Sequence, residues 1–170
     1  MIDNVNQPVT YLQHMHQIPL LKYLQHVFSC EKPELKVSKI VTFLQSHPLP
    51  LEDFPRLQDT YTRTVLYRAE NGFEAMAARW SKGSISSIHG HPYFNFYFVM
   101  HGCLEIDDYQ RSDRGLMHIS SATVPTNGES SFAGSKGTFD NNIHQVHAFE
   151  ETLSIHISSD DSAKGEVFSV

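Results

Sequence analysis

The sequence predicts a mainly β protein: a small antiparallel barrel or sandwich behind a helical N-terminal portion. Three observations predict it. Apolar residues recur at helical spacing only in roughly the first 55 residues. From about Gln58 the chain turns into short Thr-, Tyr-, Val- and Phe-rich segments at close intervals, the pattern of sandwiches and small barrels. Between the first two of these stands Asn71-Gly72, the strongest short hairpin signal.

The helical portion has two stripes. Pro19 can open a helix in its first turn, and Leu20, Leu21, Leu24, Val27 and Phe28 follow at steps of one, three and four. Pro33 can open the next, with Val37, Ile40, Val41 and Leu44 as its apolar face. His47-Pro48-Leu49-Pro50 ends it, because proline removes donors and restricts the residue before it. Strand segments are then expected at Asp59–Glu70, Phe73–Trp80, Ser87–His91, Asn95–Met100, Cys103–Tyr109, Leu116–Ser120, His144–Phe149 and Leu153–Ser158. The Gly-, Ser- and Asn-rich stretch Pro125–Asn142 should carry one strand and two turns. The tail from Asp160 is polar and reads as peripheral, with Val167, Phe168 and Val170 able to dock on the barrel.

A length of 170 residues favours one domain, 1–170, able to bury a core without disulfides. Its expected parts are a helical portion (1–55), a β-barrel (56–160) and a tail (161–170). The net charge of −6, with no Lys/Arg cluster, argues against nucleic acid or an anionic membrane as partner. MIDNVNQPVT has no basic region followed by an apolar run, and no stretch approaches ~18 consecutive apolar residues. A cytoplasmic location with Cys30 and Cys103 as reduced thiols is the expectation. The oligomeric state is not legible.

Eleven histidines are many for this length. Nothing near His14, His16 and His26 completes a metal set, and His101 and His118 have no companion spacing, so all five read as ordinary residues. His89 and His91 flank one glycine. On a strand both imidazoles face one side, close enough to bind a single metal ion. A third histidine would complete the set, and Asn141–Ser158 (NNIHQVHAFEETLSIHIS) offers His144, His147 and His156. His147 stands an odd number of residues from His144, so the two face opposite ways on a strand.

Gly83, five residues, His89-Gly90-His91, three residues, Asn95, six residues, then Gly102 resembles the first motif of the cupin superfamily, a jelly-roll barrel. Asn95 occupies the motif's acidic position, so a carboxylate ligand is absent there and a pocket-lining amide is expected. Tyr61-Thr62-Arg63, Trp80, Ser86-Ser87-Ile88-His89-Gly90-His91, His144-Gln145-Val146 and Ser154-Ile155-His156 resemble, in that order, the cysteine dioxygenase-like family of thiol dioxygenases. The resemblance runs from about Asp59 to Ser158.

That resemblance implies Fe(II) held by His89, His91 and His144. It implies Arg63 on the substrate carboxylate, and His156 with Ser154 orienting groups beside the metal. The implied reaction adds both atoms of O2 to a small thiol such as cysteine, giving a sulfinic acid. Three neutral imidazoles suit it, because they leave the ion its full charge and open positions for thiolate and dioxygen. A guanidinium matches a carboxylate bidentately, and Tyr61, Arg63, Val65 and Tyr67 should share one strand face. The mercaptopropionate-preferring branch has glutamine at the Arg63 position, so Arg63 favours a cysteine-like amino acid.

The chain departs from the family in four places. The tyrosine that ends the last motif strand is Ser158, with Tyr93 or Tyr97 as possible sources of a hydroxyl. Gly90 replaces the usual aspartate. Pro92-Tyr93-Phe94 is shorter by one residue and more aromatic. Asn95 takes the position of the cysteine that crosslinks to the tyrosine, so no crosslink can form. Two other readings are therefore carried: a cupin iron oxygenase acting on another small carboxylate or thiol, and a non-catalytic metal- or small-ligand-binding cupin.

Overall fold

The computed structural model describes residues 9–11, 18–30 and 32–169. His14 and His16 lie outside the described residues. Two helices, α1 (Ile18–Phe28) and α2 (Val37–Ser46), precede the main strands. Pro33 opens a short 3-10 turn, Pro33–Lys36, that runs directly into α2. The buried residues are those of the predicted stripes: Leu20, Leu24, Val27 and Phe28 on α1, and Ile40, Val41 and Leu44 on α2.

Eleven strands follow the chain as β1 (Val9–Tyr11), β2 (Tyr61–Arg68), β3 (Glu74–Trp80), β4 (Ile88–His91), β5 (Phe94–His101), β6 (Cys103–Ser112), β7 (Gly115–Pro125), β8 (Glu129–Ala133), β9 (Asn141–Ala148), β10 (Thr152–Ser158) and β11 (Val167–Phe168). They form a six-stranded sheet in the order β1-β2-β3-β10-β5-β8 and a five-stranded sheet in the order β11-β4-β9-β6-β7. Every pairing is antiparallel except the parallel pair of β1 with β2. The portion read as helical thus also contributes an edge strand.

Period-two alternation builds two cores. Phe94, Phe96 and Phe98 of β5, Ala75 and Ala77 of β3, and Leu153, Ile155 and Ile157 of β10 pack with the helices. The alternate residues of those strands face the other sheet, where Ala78, Trp80, Tyr97 and Val99 meet Leu104, Ile106, Val146 and Ala148. Both faces of β3, β5 and β10 are therefore covered, one by helices and one by the second sheet, while the edge strand β8 is exposed. Each fully buried large apolar side chain contributes about 1.5–3 kcal/mol, so the Phe94-Phe96-Phe98 row alone anchors the helices firmly.

Two expectations change. Asn71-Gly72 does close the β2–β3 hairpin, with Gly72 at φ +94°. However, a register shift between Val65 and Tyr67 turns Tyr67 to the helix side, against Phe28, so it does not share a face with Tyr61 and Arg63. The tail is not peripheral: a 3-10 turn at Ser162–Lys164 leads into β11, which pairs with β4 at His89 and Ile88. Cys30 and Cys103 are both free thiols.

Candidate metal centre

Four strands bring the predicted residues to the space between the sheets. β4 carries His89 and His91, and β9 carries His144, the cross-strand register partner of His89. β2 supplies Arg63, and β10 supplies Ser154, His156 and Ser158 on its inward face. All of these except Ser154 line one cavity of about 290 Å³, which also touches Tyr61, Trp80 and Asn95.

The rings of His89, His91 and His144 form a nearly equilateral triangle, with centroids 4.8, 4.8 and 4.7 Å apart. One donor atom from each lies within 4.8 Å of the others. The Nε2 atoms of His91 and His144 are 3.2 Å apart. Two lone pairs can face each other at that distance only with a proton or a cation between them. Bonds of about 2.0–2.1 Å from imidazole to metal place donor nitrogens at about this separation.

The outer nitrogens are treated unequally. His89 Nδ1–H donates to the Ser87 carbonyl at 2.9 Å, which aims Nε2 at the cavity. His144 Nδ1 has the Asn142 amide 3.3 Å away. His91 Nδ1 is buried with no hydrogen-bond partner among the described residues. The three donors fit a divalent metal, and His91 is the least anchored of them.

Electrostatics keep every ring neutral, the form that ligates metal. Burial, then neighbouring histidines, hold His91 and His144 well below the usual imidazole value. His89 is lowered by burial and by Arg63, against the Ser87 bond that raises it. His156 is pushed down to about 3, by burial first and then by His89 and Arg63. Unfolding exposes these groups to water, where they take up protons below about pH 6.5. The metal-free protein will therefore lose stability as pH falls from about 6.5 toward 3, by about 1.4 kcal/mol per pH unit for each histidine still neutral in the native state. Urea midpoints across that range test this. In His156→Gln the slope should fall by about one proton, and an unchanged slope would remove His156 from the account.

Around the triangle, Trp80 Nε1–H donates to Ser154 Oγ at 2.9 Å, and Ser154 Oγ lies 2.8 Å from His156 Nε2. With the indole as donor, the serine proton goes to His156 Nε2, leaving Nδ1–H free to face a ligand. Arg63 donates from Nη2 to Ser162 Oγ at 2.9 Å, and its Nε lies 3.1 Å from Met76 Sδ. No carboxylate forms an ion pair with Arg63 among the described residues. Ser162 Oγ in turn donates to the buried Glu74 carboxylate at 2.9 Å.

Three of the four departures can be placed in the structure. A Cβ at Gly90 would stand 2.6 Å from Asp140 Cα and 2.7 Å from Phe139 O, so an aspartate cannot fit there. A Cβ at Gly165 would stand 2.2 Å from Gly90 O. Gly90 thus admits the Phe139–Asp140 segment and Gly165 lets the C-terminal segment run close beside β4, where Ser162, Ala163, Gly165 and Val167 become a wall of the cavity. That wall is invisible in the motif spacing; the apolar Val167 and Phe168 are its one sequence signal. Asn95 and Ser158, at the crosslink positions, are register partners, and Ser158 Oγ donates to Asn95 Oδ1 at 3.4 Å. Neither Tyr93 nor Tyr97 reaches this cavity. Tyr93 packs beneath Lys136 with the helix-side core, and Tyr97 lines a wider hollow of about 760 Å³ on the far side of His144.

No protein-family model matches the chain, and no curated protein matches it. Solved structures do. A cupin superfamily protein from Desulfitobacterium hafniense aligns over 67% of this chain and 91% of its own, at a TM-score of 0.51 and 12% identity. The chain has the cupin fold. A cupin-2 domain protein from Rhodospirillum rubrum (TM-score 0.49, 13% identity, 68% of this chain and 72% of that one) is also similar. So is KdgF from Halomonas sp. (0.45, 12%, 61% and 81%). In this cupin barrel the possible metal site is the His89–His91–His144 triangle. Among the described residues, no helix is long and apolar enough to cross a membrane.

Proposed function

We propose that this cupin is a mononuclear non-haem iron thiol dioxygenase that converts a small thiol carrying a carboxylate, such as cysteine, into its sulfinic acid. One observation carries the reading: three neutral imidazoles converge beside an arginine that has no carboxylate partner among the described residues. His89, His91 and His144 would hold the ion. Bound there, Fe(II) would supply the redox chemistry that joins dioxygen to sulfur and the positive charge that keeps the thiol as thiolate.

The chain's own residues do the rest. Arg63 receives the substrate carboxylate on the guanidinium edge not committed to Ser162. Trp80 and Ser154 fix His156 so that its Nδ1–H can donate to the substrate or the sulfinate oxygens. The cavity, at about 290 Å³, lies at the small end for ligand sites and suits an amino acid-sized substrate. Tyr61, stacked on Trp80 at 4.1 Å, and the C-terminal wall line the rest of it.

One observation favours a second substrate class. Asn95 Nδ2 is buried at the cavity without a hydrogen-bond partner among the described residues, where the family's tyrosine–cysteine pair would stand. An acceptor on another small carboxylate or thiol would satisfy it. Oxygen uptake by anaerobically Fe(II)-loaded protein, against cysteine, cysteamine, mercaptopropionate and mercaptosuccinate, separates the readings. Stoichiometric uptake with a sulfinate product and a preference for cysteine is expected. Uptake with another member of the panel moves the substrate. Iron retention with no uptake on any thiol overturns the dioxygenase and leaves a ligand-binding cupin.

A further inference from the structure

The outer face of the five-stranded sheet gathers a second set of donors. On β6, Leu104 and Ile106 point into the barrel, so Glu105 and Asp107 point out. On β9, Val146 and Ala148 point in, so His147 points out, as its spacing from His144 requires. Glu105 and His147 are register partners. One donor atom from each of Glu105, Asp107 and His147 lies within 4.8 Å of the others.

The Asp107 carboxylate is the hub. His147 Nε2 is 3.4 Å from its Oδ2, and His118 Nε2, from β7, is 3.6 Å from its Oδ1. The Ser121 hydroxyl also donates to Oδ1 and holds the group in place. No lysine or arginine pairs with Glu105 or Asp107 among the described residues. Two carboxylates thus stand together without a fixed counter-charge, with imidazoles from two other strands turned toward them. Such a mixed nitrogen–oxygen set suits a divalent ion of zinc's type.

We propose that Glu105, Asp107 and His147 form a second divalent-cation site, outside the barrel, with His118 as an additional donor. No local motif announces it, because the four residues come from three strands. An ion there ties β6 to β9, the strand that carries His144.

Zinc content after loading and gel filtration tests the site. The natural chain should hold two zinc ions. His91→Ala/His144→Ala, which lacks two inner donors, should hold one, and zinc should still raise its melting temperature. Adding Asp107→Asn and His147→Ala should weaken that remaining binding by at least about tenfold and abolish the thermal shift. If the inner variant fails to fold, Asp107→Asn/His147→Ala in the natural chain gives the same answer, since those side chains are 15% and 28% exposed. Its content should fall from two to one. Zinc content that stays the same when the outer donors are removed, or an inner variant that holds none, overturns the site.

Discussion

His144→Ala protein, loaded anaerobically with Fe(II) and passed through gel filtration, is expected to emerge without iron. His144 closes the triangle from a different strand than the other two donors, opposite His89 in register. Its removal leaves two imidazoles, one of which, His91, has no partner at its outer nitrogen among the described residues. Loss of an outer-shell partner alone typically costs 10–100-fold in metal affinity, so loss of a ligand should cost more than about 100-fold. The control is His156→Gln. His156 lines the same cavity but belongs to the Trp80–Ser154 chain and lies outside the cluster of possible ligands. That variant should keep its iron. Full occupancy in His144→Ala, or iron lost equally from both variants, would overturn the ligand set.

The parts of this architecture that obey a local period were legible in the sequence. Helical stripes marked the faces of α1 and α2 that become buried. The alternation in Phe94-Asn95-Phe96-Tyr97-Phe98-Val99 and Leu153-Ser154-Ile155-His156-Ile157-Ser158 is the alternation between the helix-side core and the space between the sheets. The same parity separated His144 from His147. What stayed hidden depends on contacts between distant segments. The close approach of Gly165 to Gly90, and the bond from Arg63 to Ser162, join residues 75 and 99 positions apart, and no spacing rule reaches that far. The register shift after Val65 was likewise hidden, because a bulge changes facing without changing composition. The outer cluster of Glu105, Asp107, His118 and His147 required three strands to be in register before any of its members had a companion.

Arg63→Ala should change which thiols are bound while leaving the metal in place. The guanidinium lies in the cavity with Nη2 on Ser162 and no carboxylate paired with it among the described residues, and its field already lowers His89 and His156. An arginine so placed is best satisfied by an anion from outside the chain. Truncating one member of a buried charge pair costs about 2–5 kcal/mol, and each 1.4 kcal/mol is tenfold. The KM for cysteine should therefore rise by at least about thirtyfold. Cysteamine has the same thiol and amine but no carboxylate, so its KM should barely move. Arg63→Lys keeps the charge but loses the planar fork, and should fall between the two. The ratio of the two KM values is the decisive readout, because a general loss of fold or metal would raise both together. Equal changes for cysteine and cysteamine would remove Arg63 from carboxylate recognition. The residue would then be a prop for Ser162, which holds the C-terminal wall against Glu74.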